Sequence, residues 1–268
     1  MDTLTVTKIQ NNIYRIQEDS SFINVDAYLI CGEKEAVVID GLAITKGLYE
    51  CVRKITDKPV SMIVTHGHPD HAGNGMLEFM EAGFEVFVSF KDLYLIEEMY
   101  GDAFQAEKVH NLENGMKFDL GGTELEAMAM PGHTKGSTLV YMPKEKLIFS
   151  ADAIGSGGFW IQLPESLPLK DYMEPLYQLQ AFLEQHEGIK IYPGHSYQIE
   201  PYLQEGQDYL DKEYVDELID ITRDIIDGKE VGEKTEIEMD MMKGIDVRTV
   251  KRRCVVDYCY DAEHILEK

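Results

Sequence analysis

A chain of 268 residues is long enough for one large domain or two small ones, and a core of that size needs no disulfide bonds. Its 49 acidic residues outnumber 25 basic ones, which gives a formal net charge of −24. Such a surface repels phosphate backbones and anionic lipids, so the composition argues against a nucleic-acid partner or a membrane-surface partner. A local basic cluster is expected to balance neighbouring acids: Arg248, Lys251, Arg252 and Arg253.

The cysteines and the N-terminus indicate the cellular compartment. Cys31, Cys51, Cys254 and Cys259 show no metal-binding spacing and are expected to be reduced thiols. The first ten residues lack the charged and apolar regions of a secretory signal, and no apolar run is long enough to span a bilayer. The predicted location is the cytoplasm, the expected partner is a small-molecule substrate, and the sequence leaves a homodimer open.

The first third of the chain alternates predicted strands with turns. Leu48, Val52 and Ile55 recur at helical spacing and predict one helix. A hairpin is expected at Gly32 to Glu35, between two nearly continuous apolar runs that indicate strands covered on both faces. Strands are predicted at residues 4–7, 13–16, 27–31, 36–39 and 60–64, and the last of these leads directly into the pair Thr65-His66.

The middle of the chain mixes helices and strands. Apolar spacing predicts a helix that carries Met76 and Phe79 and ends at Gly83, and a second helix around Ile96. Further strands are predicted at residues 84–88, 124–128, 138–141 and 147–149. A longer helix is expected to begin at a capping box, Asp171 to Glu174, and to end near Gly188. Another helix is predicted over residues 214–226, and Gly228 would end it.

The C-terminal part carries weaker patterns. Residues 229–243 are polar and charged, which favours a flexible excursion, and residues 254–258 are predicted to return as an edge strand. The whole chain, 1–268, is predicted to be one α/β domain with its core over about residues 1–228.

One short loop concentrates candidate metal ligands. His66, His68, Asp70 and His71 directly follow a predicted buried strand, so the loop can turn several side chains toward one point. Imidazole and carboxylate together suit zinc, iron or manganese, whereas a calcium site would be nearly all oxygen. Two imidazoles one residue apart can chelate one ion, while the adjacent aspartate and histidine reach a neighbouring ion. The isolated histidines are expected to be surface or core groups: His110, His186 and His264.

A repeated tripeptide points to the same site. Pro131-Gly132-His133 and Pro193-Gly194-His195 each follow an apolar strand. Binding residues in layered α/β folds usually lie on loops at the ends of strands. Both histidines are therefore predicted to join the cluster that follows the strand at residues 60–64.

These motifs together resemble the metallo-β-lactamase superfamily. The run from Thr65 to Gly73 is similar to the metal-binding signature of that family. Other segments agree with the family in the same order: residues 36–41 before this run, and residues 131–137, 150–153 and 192–195 after it. The resemblance covers about the first 200 residues and implies a four-layer αββα sandwich, in which two central sheets are covered by outer helices.

The resemblance also implies the roles of single residues. One metal would be held by His66, His68 and His133, the second by Asp70, His71 and His195, and Asp152 would bridge both. A water or hydroxide between the ions would attack the substrate, and Asp70 would orient it. Zinc is the favoured metal, with iron or manganese as alternatives. Asp40 is a candidate to orient one of the histidines, and a capped turn after a strand would explain it equally well.

The predicted activity is hydrolysis of an ester, thioester or lactone bond by a dinuclear centre. Glyoxalase II enzymes and lactonases of the superfamily share the full ligand set, whereas true β-lactamases do not use a bridging aspartate. Two alternatives stay open: a mononuclear iron enzyme similar to persulfide dioxygenases, and a phosphodiesterase. Segment 155–163 is a candidate apolar lid over the metals that would place Phe159 and Trp160 at the substrate, or these rings pack a helix instead. Tyr197 is a further candidate substrate contact.

Overall fold

The structure is a computed structural model that describes residues 3–20, 23–156, 158–199, 208–253, 255 and 257–267. The chain divides into two compact units. The N-terminal unit comprises Met1–Ala129 and Gly136–Glu145, and the C-terminal unit comprises Met130–Lys135 and Lys146–Lys268. Each unit has its own strands, helices and buried apolar side chains. The single-domain organisation stays a prediction.

A seven-stranded sheet, ordered as in the chain, forms the centre of the N-terminal unit. Its strands are β1 (Thr3–Gln10), β2 (Ile13–Asp19), β3 (Asn24–Cys31), β4 (Ala36–Ile39), β5 (Val60–Val64), β6 (Val86–Val88) and β7 (Val109–Asn111). Strands β1 to β4 pair antiparallel, whereas β4 to β7 pair in parallel. Strand β4 is buried along its whole length, as its continuous apolar sequence predicts. The antiparallel pairing of β3 with β4 confirms the predicted hairpin.

Three helices of eight residues each connect the parallel strands: α1 (Leu48–Ile55), α2 (Asn74–Glu81) and α3 (Leu93–Tyr100). Their buried residues include Val52, Met76 and Phe79, which pack into one apolar core with side chains of the sheet. The predicted helical periodicity is therefore confirmed. Three more strands pair antiparallel in succession: β8 (Lys117–Asp119), β9 (Glu124–Ala129) and β10 (Thr138–Met142).

The C-terminal unit combines a parallel strand pair with a small mixed sheet. Strands β11 (Leu147–Ala151) and β13 (Lys190–Pro193) are parallel neighbours, and helix α4 (Leu169–Gln185) lies between them in the chain. The sheet has the order β12-β16-β15-β14, with β12 (Gly158–Ile161), β14 (Glu233–Lys234), β15 (Val247–Val250) and β16 (Asp257–Asp261). Helix α5 (Lys212–Ile226) begins after Asp211, whose carboxylate accepts a hydrogen bond from the Glu213 N–H at 2.9 Å.

The predicted capping box of α4 is wrong. The helix begins at Leu169, two residues before Asp171, and no side chain caps it. Pro168 precedes the helix in an extended conformation (φ −55°, ψ 147°), and its carbonyl oxygen accepts the Asp171 N–H at 2.9 Å. Because proline already fixes its φ near the helical value, the first turn forms directly behind it. Asp171 therefore lies inside the first turn, where a negative charge suits the helix dipole.

The flexible excursion predicted for residues 229–243 is also wrong. This stretch contains β14 and a 3₁₀ turn at Asp240–Met242. Met242 is buried and packs with Leu163, Val247 and Cys259. The charged sequence around Met242 does not indicate this small apolar cluster, because the members of the cluster range from Leu163 to Cys259 along the chain. The last strand, β16, lies at 257–261 rather than 254–258, and it pairs with both β12 and β15, so the predicted edge position is wrong. Cys254 and Val256 fall outside the described residues.

The basic cluster near the C-terminus is balanced by acids, as predicted. Arg248 pairs with Asp246, Arg252 with Asp224 and Glu230, Arg253 with Glu213, and Lys251 lies 3.9 Å from Asp257. Cys31, Cys51 and Cys259 are free thiols, and burial raises the pKa of each. Within the described ranges, no helix has the length and apolar character needed to cross a membrane.

Candidate metal centre

The loop after β5 brings two buried imidazoles together. β5 delivers the chain to His66 and His68, whose side chains are almost fully buried. Nε2 of His66 lies 3.0 Å from Nδ1 of His68, and the two rings are nearly perpendicular at 83°. Two nitrogen ligands on one tetrahedral zinc ion would lie about 3.3 Å apart. The spacing of this pair therefore suits a shared divalent ion.

Asp70 and His71 form the second pair in this loop. Nε2 of His71 lies 3.8 Å from Oδ2 of Asp70, and the His71 ring is completely buried. On the other side of the ring, Nδ1 of His71 lies 2.8 Å from Oδ2 of Asp40. A proton on Nδ1 that is donated to this carboxylate leaves the Nε2 lone pair facing Asp70. A metal-binding histidine is commonly oriented in this way.

Asp40 also ties the metal-binding loop to the sheet. The residue directly follows β4 with φ 66°, a left-handed conformation that aspartate tolerates better than most residues. Its Oδ1 accepts a hydrogen bond from the Thr65 N–H at 2.8 Å, and its Oδ2 accepts one from the Thr65 hydroxyl at 3.0 Å. These bonds reach Thr65 and His71, which both follow β5, so they match the orienting carboxylate considered from the sequence rather than a capped turn after β4.

A second buried carboxylate, Asp92, was not identified from the sequence. Its Oδ2 accepts the Gly67 N–H at 3.1 Å, and its Oδ1 accepts the Gly136 N–H at 2.7 Å. A Cβ at Gly67 would lie 2.9 Å from the Asp92 carbonyl oxygen, and one at Gly136 would lie 2.6 Å from its carboxyl carbon. The two glycines let both backbones approach one carboxylate. The sequence signal was slight, because an aspartate just before a helix ordinarily indicates an N-cap.

The C-terminal unit holds the other three predicted ligands. Asp152 directly follows β11, and His195 follows the neighbouring strand β13 after one glycine. Oδ2 of Asp152 lies 3.3 Å from Nε2 of His195 and 3.8 Å from Nε2 of His133. The carboxylate is thus placed between two imidazoles. Because β11 and β13 are parallel, their carboxyl ends meet at one edge and bring Asp152 and His195 together.

The backbone of β12 fixes the orientation of His133. Nδ1 of His133 lies 2.6 Å from the carbonyl oxygen of Trp160, which leaves Nε2 facing Asp152. Two more hydrogen bonds fasten the following segment to the same loop. The Ser166 hydroxyl donates to the His133 carbonyl oxygen at 2.8 Å, and the Leu167 N–H donates to the Gly132 carbonyl oxygen at 2.8 Å.

The predicted substrate contacts fall into different environments. Phe159 is fully buried, stacked on Tyr172 at 5.1 Å and in contact with Tyr258 at 5.2 Å. This packing corrects the prediction that Phe159 contacts substrate. Within the candidate lid at residues 155–163, residues 158–161 form strand β12, which pairs with β16. Gly157 lies outside the described residues. Trp160 is 39% exposed and Tyr197 is 42% exposed, so both stay predicted substrate contacts.

Donor chemistry in both units fits divalent metal ions. Each unit contributes imidazoles beside a carboxylate, the mixture that zinc, iron and manganese prefer over calcium. His71 and His133 each have Nδ1 beside a protein oxygen and Nε2 directed toward a carboxylate. The residues therefore suit a metal site in chemistry and orientation.

Comparison with known proteins identifies the family. The sequence pattern of the metallo-beta-lactamase superfamily matches residues 21–214. The chain belongs to this superfamily. Among solved structures, a metallo-beta-lactamase from Pontibacter korlensis superimposes with a TM-score of 0.61 at 21% identity, covering 82% of this chain and 99% of that one. This likeness confirms the predicted fold class.

Two curated relatives carry names that describe hydrolases. The hydroxyacylglutathione hydrolase GloC of Haemophilus influenzae is 27% identical over 207 residues, which cover 73% of this chain and 90% of the relative. The human acyl-coenzyme A thioesterase MBLAC2 is 26% identical over 214 residues, covering 68% of this chain and 75% of the relative.

Proposed function

We propose that this chain is a dinuclear metal-dependent hydrolase that cleaves a thioester bond, or a related ester or lactone bond, of a small molecule. The observation that carries the proposal is that both units present buried imidazoles beside a carboxylate. Following the family pattern, the first ion would be bound by His66, His68 and His133, and the second by Asp70, His71 and His195, with Asp152 shared. When bound, such ions lower the pKa of a coordinated water and polarise the scissile carbonyl.

The chain's own residues prepare the site for these ions. Asp40 keeps the Nδ1 proton on His71, and the Trp160 carbonyl keeps it on His133. Each Nε2 is then unprotonated and available as a ligand without loss of a proton. Asp70, with a partly exposed carboxylate, is proposed to accept a hydrogen bond from the attacking water and so to direct its lone pair at the carbonyl carbon.

The thioester is favoured over the other bonds because of the relatives' names. One is a hydrolase of a glutathione thioester and the other a coenzyme A thioesterase, although both are under 30% identical to this chain. Both thiol carriers bear amide bonds close to sulfur. The large negative charge of this chain also disfavours long polyanionic substrates, which require clustered basic residues.

The proposal is tested by measuring metal content and turnover on the same preparation. We expect about two divalent ions per chain by elemental analysis, zinc foremost and iron or manganese as alternatives. The thiol released from a panel of thioesters should be detected by a colorimetric thiol reagent, with lactones and phosphodiesters assayed in parallel by proton release. Chelation should abolish turnover and added metal should restore it. One iron per chain, combined with oxygen consumption on a persulfide, would replace hydrolysis by the mononuclear iron alternative.

A further inference from the structure

Ile44 is an exposed apolar side chain on the loop between β4 and α1. It is 54% exposed, and no other large apolar side chain in the described part of the N-terminal unit is as exposed. Its neighbours Leu42 and Thr45 are both buried. Exposure alone indicates no function, because single exposed apolar residues are common on protein surfaces.

A buried carboxylate fixes the backbone on either side of Ile44. Glu18, near the end of β2, is completely buried. Its carboxylate accepts the N–H groups of Ala43 at 2.8 Å, Ile44 at 3.3 Å and Thr45 at 3.0 Å. It also accepts the Thr45 hydroxyl at 2.7 Å. Successive backbone N–H groups that converge on one anion form a concave turn, so the loop holds Ile44 in one backbone conformation.

The same loop is bonded to the segment that follows His71. The Gly41 N–H donates to the His71 carbonyl oxygen at 2.6 Å, and the Asn74 N–H donates to the Ala43 carbonyl oxygen at 3.1 Å. The side-chain amide of Asn74 also donates to the Ile44 carbonyl oxygen at 2.7 Å. The Ile44 backbone therefore contacts a residue only three positions after the candidate ligand His71.

Backbone strain accompanies this arrangement. Asp40 and Leu42 have φ 66° and 60°, left-handed conformations that cost energy in residues with a Cβ. A Cβ at Gly73 would lie 1.7 Å from the Leu42 carbonyl oxygen, so the two backbones can meet only because glycine occupies this position. Strained positions of this kind cluster at binding and catalytic sites, and core packing does not require an exposed isoleucine on such a loop.

The chemistry of Ile44 indicates what it contacts. A branched aliphatic side chain makes no hydrogen bond, and its favourable partner is a hydrocarbon. In a thioester of a polar thiol carrier, the hydrocarbon lies on the acyl side of the scissile bond. An acyl chain placed against Ile44 removes apolar surface of both groups from water, and the loop loses little freedom because Glu18 already fixes it.

We propose that Ile44 contacts the hydrocarbon part of the substrate's acyl group, beside His71. This inference rests on the proposed function and narrows it to esters and thioesters with an apolar acyl chain, as opposed to short or hydroxylated acyl groups. Ile44 is then a specificity-determining residue, which acts on substrate binding rather than on the metals.

The test compares two substrates that differ only in acyl chain length, the hexanoyl and acetyl thioesters of N-acetylcysteamine. For the metal-loaded wild type, we expect kcat/KM to favour the hexanoyl thioester by about tenfold, the equivalent of burying about two methylene groups. In Ile44→Ser this ratio should fall to about threefold or less, because the apolar contact is lost. Ile44→Leu keeps the apolar volume and should keep the wild-type ratio.

Val6→Ser is the matched control for these variants. Val6 is also an exposed aliphatic residue of the N-terminal unit, but it lies on β1, at the edge of the seven-stranded sheet. Its replacement should leave the ratio of the two kcat/KM values unchanged.

A second readout does not depend on turnover. The thioether S-hexyl-N-acetylcysteamine lacks the scissile carbonyl, so it can bind without reacting. In metal-loaded protein labelled with ¹³C at the isoleucine δ1 methyl groups, this thioether should shift the Ile44 methyl resonance, which is identified by its absence in Ile44→Leu. The S-ethyl thioether at the same concentration should shift it much less.

The possible results separate the two proposals. If folded Ile44→Ser keeps the wild-type ratio, or if the wild type shows no preference between the two thioesters, the role of Ile44 is overturned. If neither thioester is hydrolysed by the metal-loaded wild type, the proposed thioester hydrolysis fails and the NMR titration decides the contact. A shift of the Ile44 methyl resonance by the S-hexyl thioether then supports the contact, and an unchanged resonance overturns it.

Discussion

The two units orient their candidate ligands in different ways. In the N-terminal unit, a carboxylate of Asp40 holds Nδ1 of His71 at 2.8 Å. In the C-terminal unit, the backbone carbonyl of Trp160 holds Nδ1 of His133 at 2.6 Å. The carboxylate can hold the imidazole by a charge-assisted hydrogen bond, whereas the carbonyl offers only a dipole. The orientation of His71 therefore depends on which residue occupies position 40, whereas the orientation of His133 depends on the backbone path of β12.

Substitutions at positions 40 and 160 should therefore affect the two histidines differently. Removing the Asp40 carboxylate abolishes the partner of His71, but no side-chain substitution at position 160 removes the carbonyl that faces His133. With all proposed ligands kept, we expect the orientation of His71 to be sensitive to a single side-chain substitution and the orientation of His133 to be sensitive to changes that move β12.

The largest effect is expected from removing one proposed ligand in each unit, by His68→Ala and Asp152→Ala. Each should lower kcat/KM by more than about 100-fold, because substitution of residues that only orient a ligand already costs 10–100-fold. Bound metal, measured by elemental analysis, should fall in both variants. His110→Ala is the matched control, since His110 is half-exposed on β7, and it should keep full metal content. Full activity in either ligand variant contradicts the proposed ligand set.

A smaller effect is expected from Asp40→Ala, which removes the orienting carboxylate but leaves all seven proposed ligands. Metal affinity, measured by competition with a coloured chelator, should weaken by about 10–100-fold. Asp40→Asn keeps an oxygen acceptor and should lie between Ala and wild type. Equal metal affinity in all three proteins would mean that Asp40 serves only the turn after β4 and its bonds to Thr65.

Much of the fold was accessible from the sequence because its signals are local. Continuous apolar runs predicted the buried strands β4 and β5, and the spacing of Leu48 and Val52 predicted α1. The small sheet of the C-terminal unit was missed because it pairs β12 with β16, about 100 residues further along the chain. Alternation within a short strand does not specify such a distant partner.

The candidate ligands were predictable because histidine and aspartate at fixed spacing are chemically distinctive. The groups that hold them in place were predictable only in part. Asp40 could be suggested from its position after a strand. The Trp160 carbonyl could not, because every residue has a backbone carbonyl and the sequence does not show which one faces His133. Asp92 was missed because the N–H groups that it accepts belong to glycines 25 and 44 residues away.

Asp92 offers a test of stability rather than of metal binding. Asp92→Ala would leave the buried N–H groups of Gly67 and Gly136 without their carboxylate acceptor. At 1–3 kcal/mol for each unsatisfied group, we expect the free energy of unfolding to fall by about 3 kcal/mol, measured by denaturant titration. Asp119→Ala is the control, because this exposed carboxylate accepts the Gly121 N–H and its loss should cost less than about 1 kcal/mol. An equal loss of unfolding free energy in the two variants would mean that the buried Asp92 carboxylate contributes no more to stability than the exposed Asp119 carboxylate.

Trp160→Ala gives the smallest expected effect and the sharpest contrast with Asp40→Ala. The indole is 39% exposed, so its removal should change stability little, and the backbone carbonyl that bonds to His133 stays in place. Metal content should therefore equal that of the wild type, while KM for thioesters with bulky acyl groups should rise several-fold and KM for acetyl thioesters should change less. Loss of metal in Trp160→Ala would show that the indole, and not only the strand pairing of β12 with β16, holds the carbonyl in position. The C-terminal ligand set would then depend on a side chain in the same way as the N-terminal one, and the contrast between the units would be lost.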